Sequence, residues 1–118
     1  MRVARLVGDG SSDAVLAHPL RWLLDDLTEE RFDLQAVDLR HHRRRPRSLA
    51  DRVDAVFDEG EVDLLFVHRD AEGQEPLRRC EEVAAALGGR LGVAVVPVRM
   101  TEAWLLFHEG AIRTAAER

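Results

Sequence analysis

The chain has 118 residues, of which 46% are hydrophobic and 33% are charged, and its net charge is −5. This composition predicts one globular domain over residues 1–118, and the negative charge argues against a surface that binds nucleic acid everywhere. All 17 basic residues are arginine and tyrosine is absent, which excludes lysine Schiff bases, a P-loop lysine and a tyrosine nucleophile. The single cysteine excludes an intrachain disulfide. No apolar run approaches the about 18 residues of a membrane span, so we expect a cytoplasmic protein without membrane contact.

The first 39 residues predict a strand, a helix and a second strand. The apolar run Val3–Val7 is typical of a strand. The glycine-rich turn Gly8–Asp13 follows it and opens an amphipathic helix, in which Pro19 either kinks the helix or resets its start. Apolar and polar residues alternate over much of Arg31–Leu39, which predicts a second strand. This order is that of a βα unit with Asp9 at the end of the first strand.

The segment Arg40–Arg47 is a charge run of arginines and two histidines around one proline. Such blocks are usually solvated surface loops. A phosphate-binding loop is the other interpretation, because the guanidinium group matches the geometry of phosphate. The candidates for contact with nucleic acid are Arg43, Arg44, Arg45 and Arg47.

The second half of the chain predicts a helix, a buried strand, a third helix, a fourth strand and a final helix. Ser48 is suited to cap the second helix, and Pro76 is suited to the first position of the third. The predicted ranges are Ser48–Glu59, Leu64–Val67, Leu77–Leu87 and Val93–Val98, followed by a helix that starts at Thr101. This last helix carries the apolar patch Trp104–Phe107, and its pattern runs to the end of the sequence without a stop signal. Two interpretations follow: either this helix ends freely, or the chain is shortened at its C-terminus relative to a longer parent.

Acidic residues follow the first and third predicted strands. The alternating order of strands and helices predicts a three-layer α/β/α sandwich with a mostly parallel four-stranded sheet, in which the carboxyl ends of the strands share one edge. If strands one and three are neighbours, Asp9, Asp70 and Glu72 converge, and such oxygen ligands favour Mg²⁺ or Mn²⁺. Ordinary loop carboxylates are the competing interpretation. His68 is expected to be buried and to point away from the side of Arg69.

Three stretches of the chain together resemble Toprim domains, and the resemblance extends from Val3 to about Ala115. The turn VGDGSSD is similar to the family's VEGxxD turn, with Asp9 in place of glutamate. The strand and turn LLFVHRDAE resemble the family's hydrophobic strand followed by DxD, with Glu72 in place of the second aspartate. The ending VPVRMTEAWLLF is similar to uncharacterised bacterial Toprim-like proteins. Those proteins are often encoded near ATPases related to the overcoming-lysogenization-defect nucleases and are suspected of roles in phage defence.

The resemblance implies Mg²⁺-dependent phosphodiester chemistry on DNA or RNA, with an ATPase as a possible partner. In that mechanism Asp70 and Glu72 would hold the metal, and Asp9 would complete the site and act as a base. Glu102 is a candidate outer ligand, although an acidic residue in the first turn of a helix is also explained by the helix dipole. Arg99 would meet a phosphate or pair with Glu102. On this interpretation the protein is a nuclease of the Toprim type.

Other classes of function remain open at this stage. A Toprim-like domain without catalytic activity could bind a partner, or a second copy of itself, through Trp104–Phe107. A phospho-acceptor receiver domain would also place acids where Asp9 and Asp70 are, but it needs a lysine that this chain lacks. Nucleotide binding by the turn GDGSSD is a weaker alternative, because the turn has neither the glycine spacing of a dinucleotide fingerprint nor a P-loop lysine.

Overall fold

A computed structural model describes residues 1–8, 16–39, 48–70, 73, 75–97, 104–106, 112 and 114–116. Within these ranges the chain alternates strands and helices, as the sequence predicts. The elements are β1 (Arg2–Val7), α1 (Ala17–Leu27), β2 (Phe32–Ala36), α2 (Leu49–Glu59), β3 (Leu64–His68), α3 (Pro76–Leu87), β4 (Gly92–Pro97) and β5 (Trp104–Leu106). None of the helices described is long and apolar enough to cross a membrane.

The strands form one sheet in the order β2-β1-β3-β4-β5. The first four strands pair in parallel, and β5 pairs antiparallel to β4. The predicted α/β class, with a four-stranded parallel sheet flanked by helices, is confirmed. The fifth strand extends this sheet at the edge beyond β4.

Helices cover both faces of the sheet, which gives the sheet two separate apolar cores. On one face α1 packs against the central strands, together with Ile112 and Ala115. On the other face α2 and α3 pack against the alternate residues of the same strands. The five residues of β3 are all buried, because this central strand is covered on both sides. The continuous apolar run over its first four residues is therefore explained by the three layers.

Local signals in the sequence fix the helix ends where they were predicted. The Ser48 hydroxyl accepts a hydrogen bond from the Asp51 backbone N–H at 3.0 Å and caps α2. Pro76 is at the start of α3, and Gly88 ends that helix with a φ of 59°, a conformation that glycine adopts without strain. Pro19 lies in the first turn of α1, where the missing N–H costs no helical hydrogen bond. Pro19 therefore marks the start of the helix.

The predicted helix from Thr101 is wrong over Trp104–Leu106, which forms β5. Its Cα partners run from Val95↔Leu106 to Pro97↔Trp104. A short apolar run is too short for its periodicity to distinguish a helix from a strand. The open side of β4 offers backbone hydrogen-bonding partners, and these residues therefore form a strand. Helical backbone follows at Ile112 and at residues 114–116.

The outer edge of the sheet at β2 is contacted by a side chain from α1. The Arg21 guanidinium donates a hydrogen bond to the Leu34 carbonyl at 2.8 Å. The ladder with β1 uses the backbone groups of Arg31 and Val37, and alternation along the strand therefore turns the carbonyl of Leu34 outward. Arg21 satisfies this outward carbonyl.

Candidate functional site at the carboxyl edge of the sheet

The carboxyl ends of β1 and β3 lie side by side, which is the condition on which the predicted metal site depends. Leu6 is opposite Phe66, and Val7 is opposite Val67. The chain leaves β1 toward β2 on one side and returns to β3 on the other, so the strand order reverses between β1 and β3. Open α/β sheets bind ligands in the crevice at such a reversal. Both β1 and β3 end at this crevice.

Asp70 lies at this crevice, two residues beyond the end of β3. Its side chain is 52% exposed, and its Oδ1 is 3.2 Å from Nε2 of His68, whose own side chain is only 7% exposed. Residues i and i+2 of an extended chain point to the same face, which explains the contact. The expectation that His68 is buried is confirmed. It is the only buried polar or charged residue of the part of the chain that the structure describes.

Arg69 points to the opposite face of the sheet, as predicted, and is held there by α3. Its guanidinium donates to Glu82 Oε2 at 3.1 Å, and Arg79 donates to the same oxygen at 3.0 Å. The hydrogen bond from Arg79 and the one from Arg69 lower the pKa of Glu82. The Arg69 backbone N–H also donates to the Val95 carbonyl of β4 at 3.1 Å. The residue before Asp70 is thus anchored through both its backbone and its side chain.

The turn after β1 is contacted by α2. The Arg52 guanidinium donates a hydrogen bond to the Gly8 carbonyl at 3.1 Å. Arg52 lies in the first turns of α2, and this helix begins at the carboxyl edge because it returns from the end of β2. The contact ties the helix to the backbone immediately before Asp9.

Of the predicted ligands, only Asp70 belongs to the part of the chain that the structure describes. Asp9, Glu72 and Glu102 lie outside it, as do the predicted nucleic-acid contacts Arg43, Arg44, Arg45, Arg47 and Arg99, and so does Phe107 of the apolar patch. Among the described residues no three side chains of the metal-binding types are grouped together.

Two contacts at this edge were not found by sequence reasoning. The pairing of His68 with Asp70 has a local signal, since the two residues are two apart at the end of a strand. The contact of Arg52 with Gly8 has none, because the residues are 44 positions apart and meet only when α2 packs beside β1.

A cavity of about 390 Å³ lies at the opposite, amino edge of the sheet. Its lining includes Phe57, Asp63 and Arg90. The Arg90 guanidinium lies over the Phe57 ring, 4.5 Å from its centroid, and donates to Asp54 at 2.7 Å. None of the predicted ligands lines this cavity, so it offers no support for the metal site.

Comparisons of the chain with protein-family models, with curated proteins and with solved structures find no match.

Proposed function

We propose that this chain is a Toprim-like domain that binds Mg²⁺ or Mn²⁺ at the crevice between β1 and β3 and performs phosphodiester chemistry on DNA or RNA. The observation that carries the proposal is the adjacency of β1 and β3 at the reversal of strand order, with the exposed carboxylate of Asp70 at that point. The strand that precedes Asp9 in the sequence, β1, also ends at this crevice. Toprim-like identity itself rests on the resemblance of the sequence motifs.

The chemistry of Asp70 fits a hard divalent cation. A carboxylate that is 52% exposed can reach an ion that keeps part of its water shell, as Mg²⁺ does in proteins. In the proposed site Asp70 and Glu72 hold the ion, Asp9 completes the set and acts as base, and Glu102 serves as an outer ligand. The bound ion would supply charge stabilisation at the scissile phosphate and activate water. Arg99 and the arginines of residues 43–47 are proposed to contact the nucleic acid.

A role without catalysis, as a module that binds a partner or a second copy, is the alternative. Trp22 on α1 is 82% exposed, and an exposed large apolar side chain is a common feature of contact surfaces. The predicted contact segment Trp104–Phe107 contributes β5 at the outer edge of the sheet, at least over Trp104–Leu106. An ATPase and a second copy of the chain are the proposed partners.

Calorimetric titration with MgCl₂ and MnCl₂ tests the metal site directly. We expect saturable binding to the wild-type chain and its loss in Asp70→Asn, which removes one ligand charge with little change of volume. The matched control is Asp25→Asn, an exposed aspartate near the end of α1, which lies toward the amino edge of the sheet. Asp25→Asn should bind as the wild type does. Equal binding by Asp70→Asn and the wild type would refute the site.

Catalysis is tested on supercoiled plasmid and on single-stranded DNA and RNA, with the same two variants. We expect metal-dependent cleavage that Asp70→Asn abolishes and Asp25→Asn retains. If the wild type binds neither metal, the proposal fails and the alternative is tested by light scattering. In that case wild-type chain that self-associates, and Trp22→Ser chain that does not, would support the interaction module.

A further inference from the structure

A buried imidazole lies directly beneath the exposed carboxylate that the proposed metal site uses. His68 belongs to the fully buried strand β3 and is 5% exposed. Its Nε2 atom is 3.2 Å from Asp70 Oδ1. A polar side chain in such a place is costly to bury unless it has polar contacts. The contact with Asp70 gives the imidazole such a contact at the edge of the sheet.

We infer that His68 is a positioning residue that holds the Asp70 carboxylate in the orientation needed to bind a divalent cation. The inference rests on the proposed function and assigns a role that the sequence motifs do not. The role acts through the 3.2 Å approach of Nε2 to Oδ1, a close polar contact whose angle falls short of that of a hydrogen bond in this structure. Partners of this kind fix the direction of a ligand's lone pairs, and their loss weakens metal binding.

The backbone around Asp70 makes this role effective. The preceding residue, Arg69, is anchored to Val95 of β4 through its backbone N–H and to Glu82 of α3 through its guanidinium. The polypeptide is therefore fixed up to Asp70, and the remaining freedom lies in the side-chain torsions of the aspartate. His68 acts on this freedom from the same face of the sheet as Asp70, whereas Arg69 lies on the opposite face because successive side chains alternate.

Two amide substitutions separate positioning from structural support. The side-chain nitrogen of His68→Gln lies at about the depth of Nε2 and can reach Asp70, whereas that of His68→Asn lies at the depth of Nδ1 and cannot. Both amides are polar, so both carry a burial cost. His68→Leu removes the ring nitrogens and fills their space with an apolar side chain. Thermal unfolding of each variant, without metal, shows which of them are folded at the temperature of the titration.

The test is calorimetric titration of the wild type and these variants with MnCl₂ alone. We expect His68→Gln to bind with nearly the wild-type affinity, while His68→Asn and His68→Leu bind about tenfold or more weakly. If His68→Leu does not fold, the test is the difference in Mn²⁺ affinity between His68→Gln and His68→Asn.

The inference is overturned if folded His68→Asn binds as the wild type does, or if His68→Gln is weakened as much as His68→Asn. Either pattern leaves the proposed function standing, provided that Asp70→Asn abolishes binding. Absence of binding to the wild type would instead refute the proposed function, and the role of His68 with it.

Discussion

The structure gives both the sign and the size of the change in stability that a substitution of Glu82 should cause. Its carboxylate accepts hydrogen bonds from Arg69 and Arg79, and their side chains are only 20% and 12% exposed, while Glu82 is 39% exposed. The substitution Glu82→Gln keeps the size and one acceptor but removes the charge. Two charge-assisted contacts, reduced for solvent screening at this exposure, amount to about 1 kcal/mol. We therefore expect Glu82→Gln to lower the free energy of unfolding by about 1 kcal/mol at pH 7, or roughly 4 °C in Tm.

The effect of Glu82→Gln on the free energy of unfolding should also depend on pH. The two arginines lower the pKa of Glu82 in the folded protein below its ordinary value of 4.5. The stability that the charge contributes is therefore fully present above pH 4.5 and is lost as the pH falls through the folded pKa. Urea unfolding of the wild type and Glu82→Gln should show a difference that is constant near neutral pH and shrinks in acid. The neighbouring, exposed Glu81 provides the control, and Glu81→Gln should cost little at any pH. A difference that does not change between pH 7 and pH 3, or an equal loss in Glu81→Gln, would refute the reasoning.

Two further predictions concern the scaffold that carries the site. A Cβ at Gly92 would lie 2.9 Å from the Leu65 backbone oxygen, so Gly92→Ala should cost about 1–3 kcal/mol in urea unfolding. Gly60→Ala is the control and should be nearly neutral, because its Cβ would meet no atom closer than 3.7 Å; equal losses in both variants would contradict this packing argument. Removal of the helix cap by Ser48→Ala should cost about 1 kcal/mol, because the bond to the Asp51 N–H is lost. Ser48→Gly loses the same bond but should cost only a few tenths of a kcal/mol, because glycine leaves the first N–H groups of the helix open to water. A larger loss in the glycine variant would count against the cap.

The parts of the fold that the sequence predicts well are those with a local physical cause. The first four residues of the buried strand β3 form a continuous apolar run because helices cover both of its faces. The start of α2 follows from the hydroxyl of Ser48, and the end of α3 from the left-handed backbone at Gly88. Regular alternation of such elements limits the architecture to few possibilities. The parallel pairing of β1 to β4 then places the carboxyl ends of these strands at one edge of the sheet.

The parts that the sequence predicts poorly depend on contacts between distant residues. Trp104–Leu106 joined the sheet because β4 had an open side, and nothing within those residues distinguishes a strand from a helix. The adjacency of β1 and β3 was a condition of the metal site that only the sheet order could confirm. The contact of Arg52 with Gly8 arises from tertiary packing alone. Asp70 was identified from its position after a strand, but its pairing with His68 required the geometry.

The hydrogen bond from Arg21 to the Leu34 carbonyl has a consequence for how the molecules can associate. An edge strand with unpaired backbone groups is a template on which a foreign strand can add, and this leads to open-ended sheets and aggregation. At β2 the guanidinium already occupies an outward acceptor. A strand from another molecule could bind along β2 only by displacing Arg21. The charged guanidinium group therefore hinders the formation of a continuous intermolecular sheet at that edge.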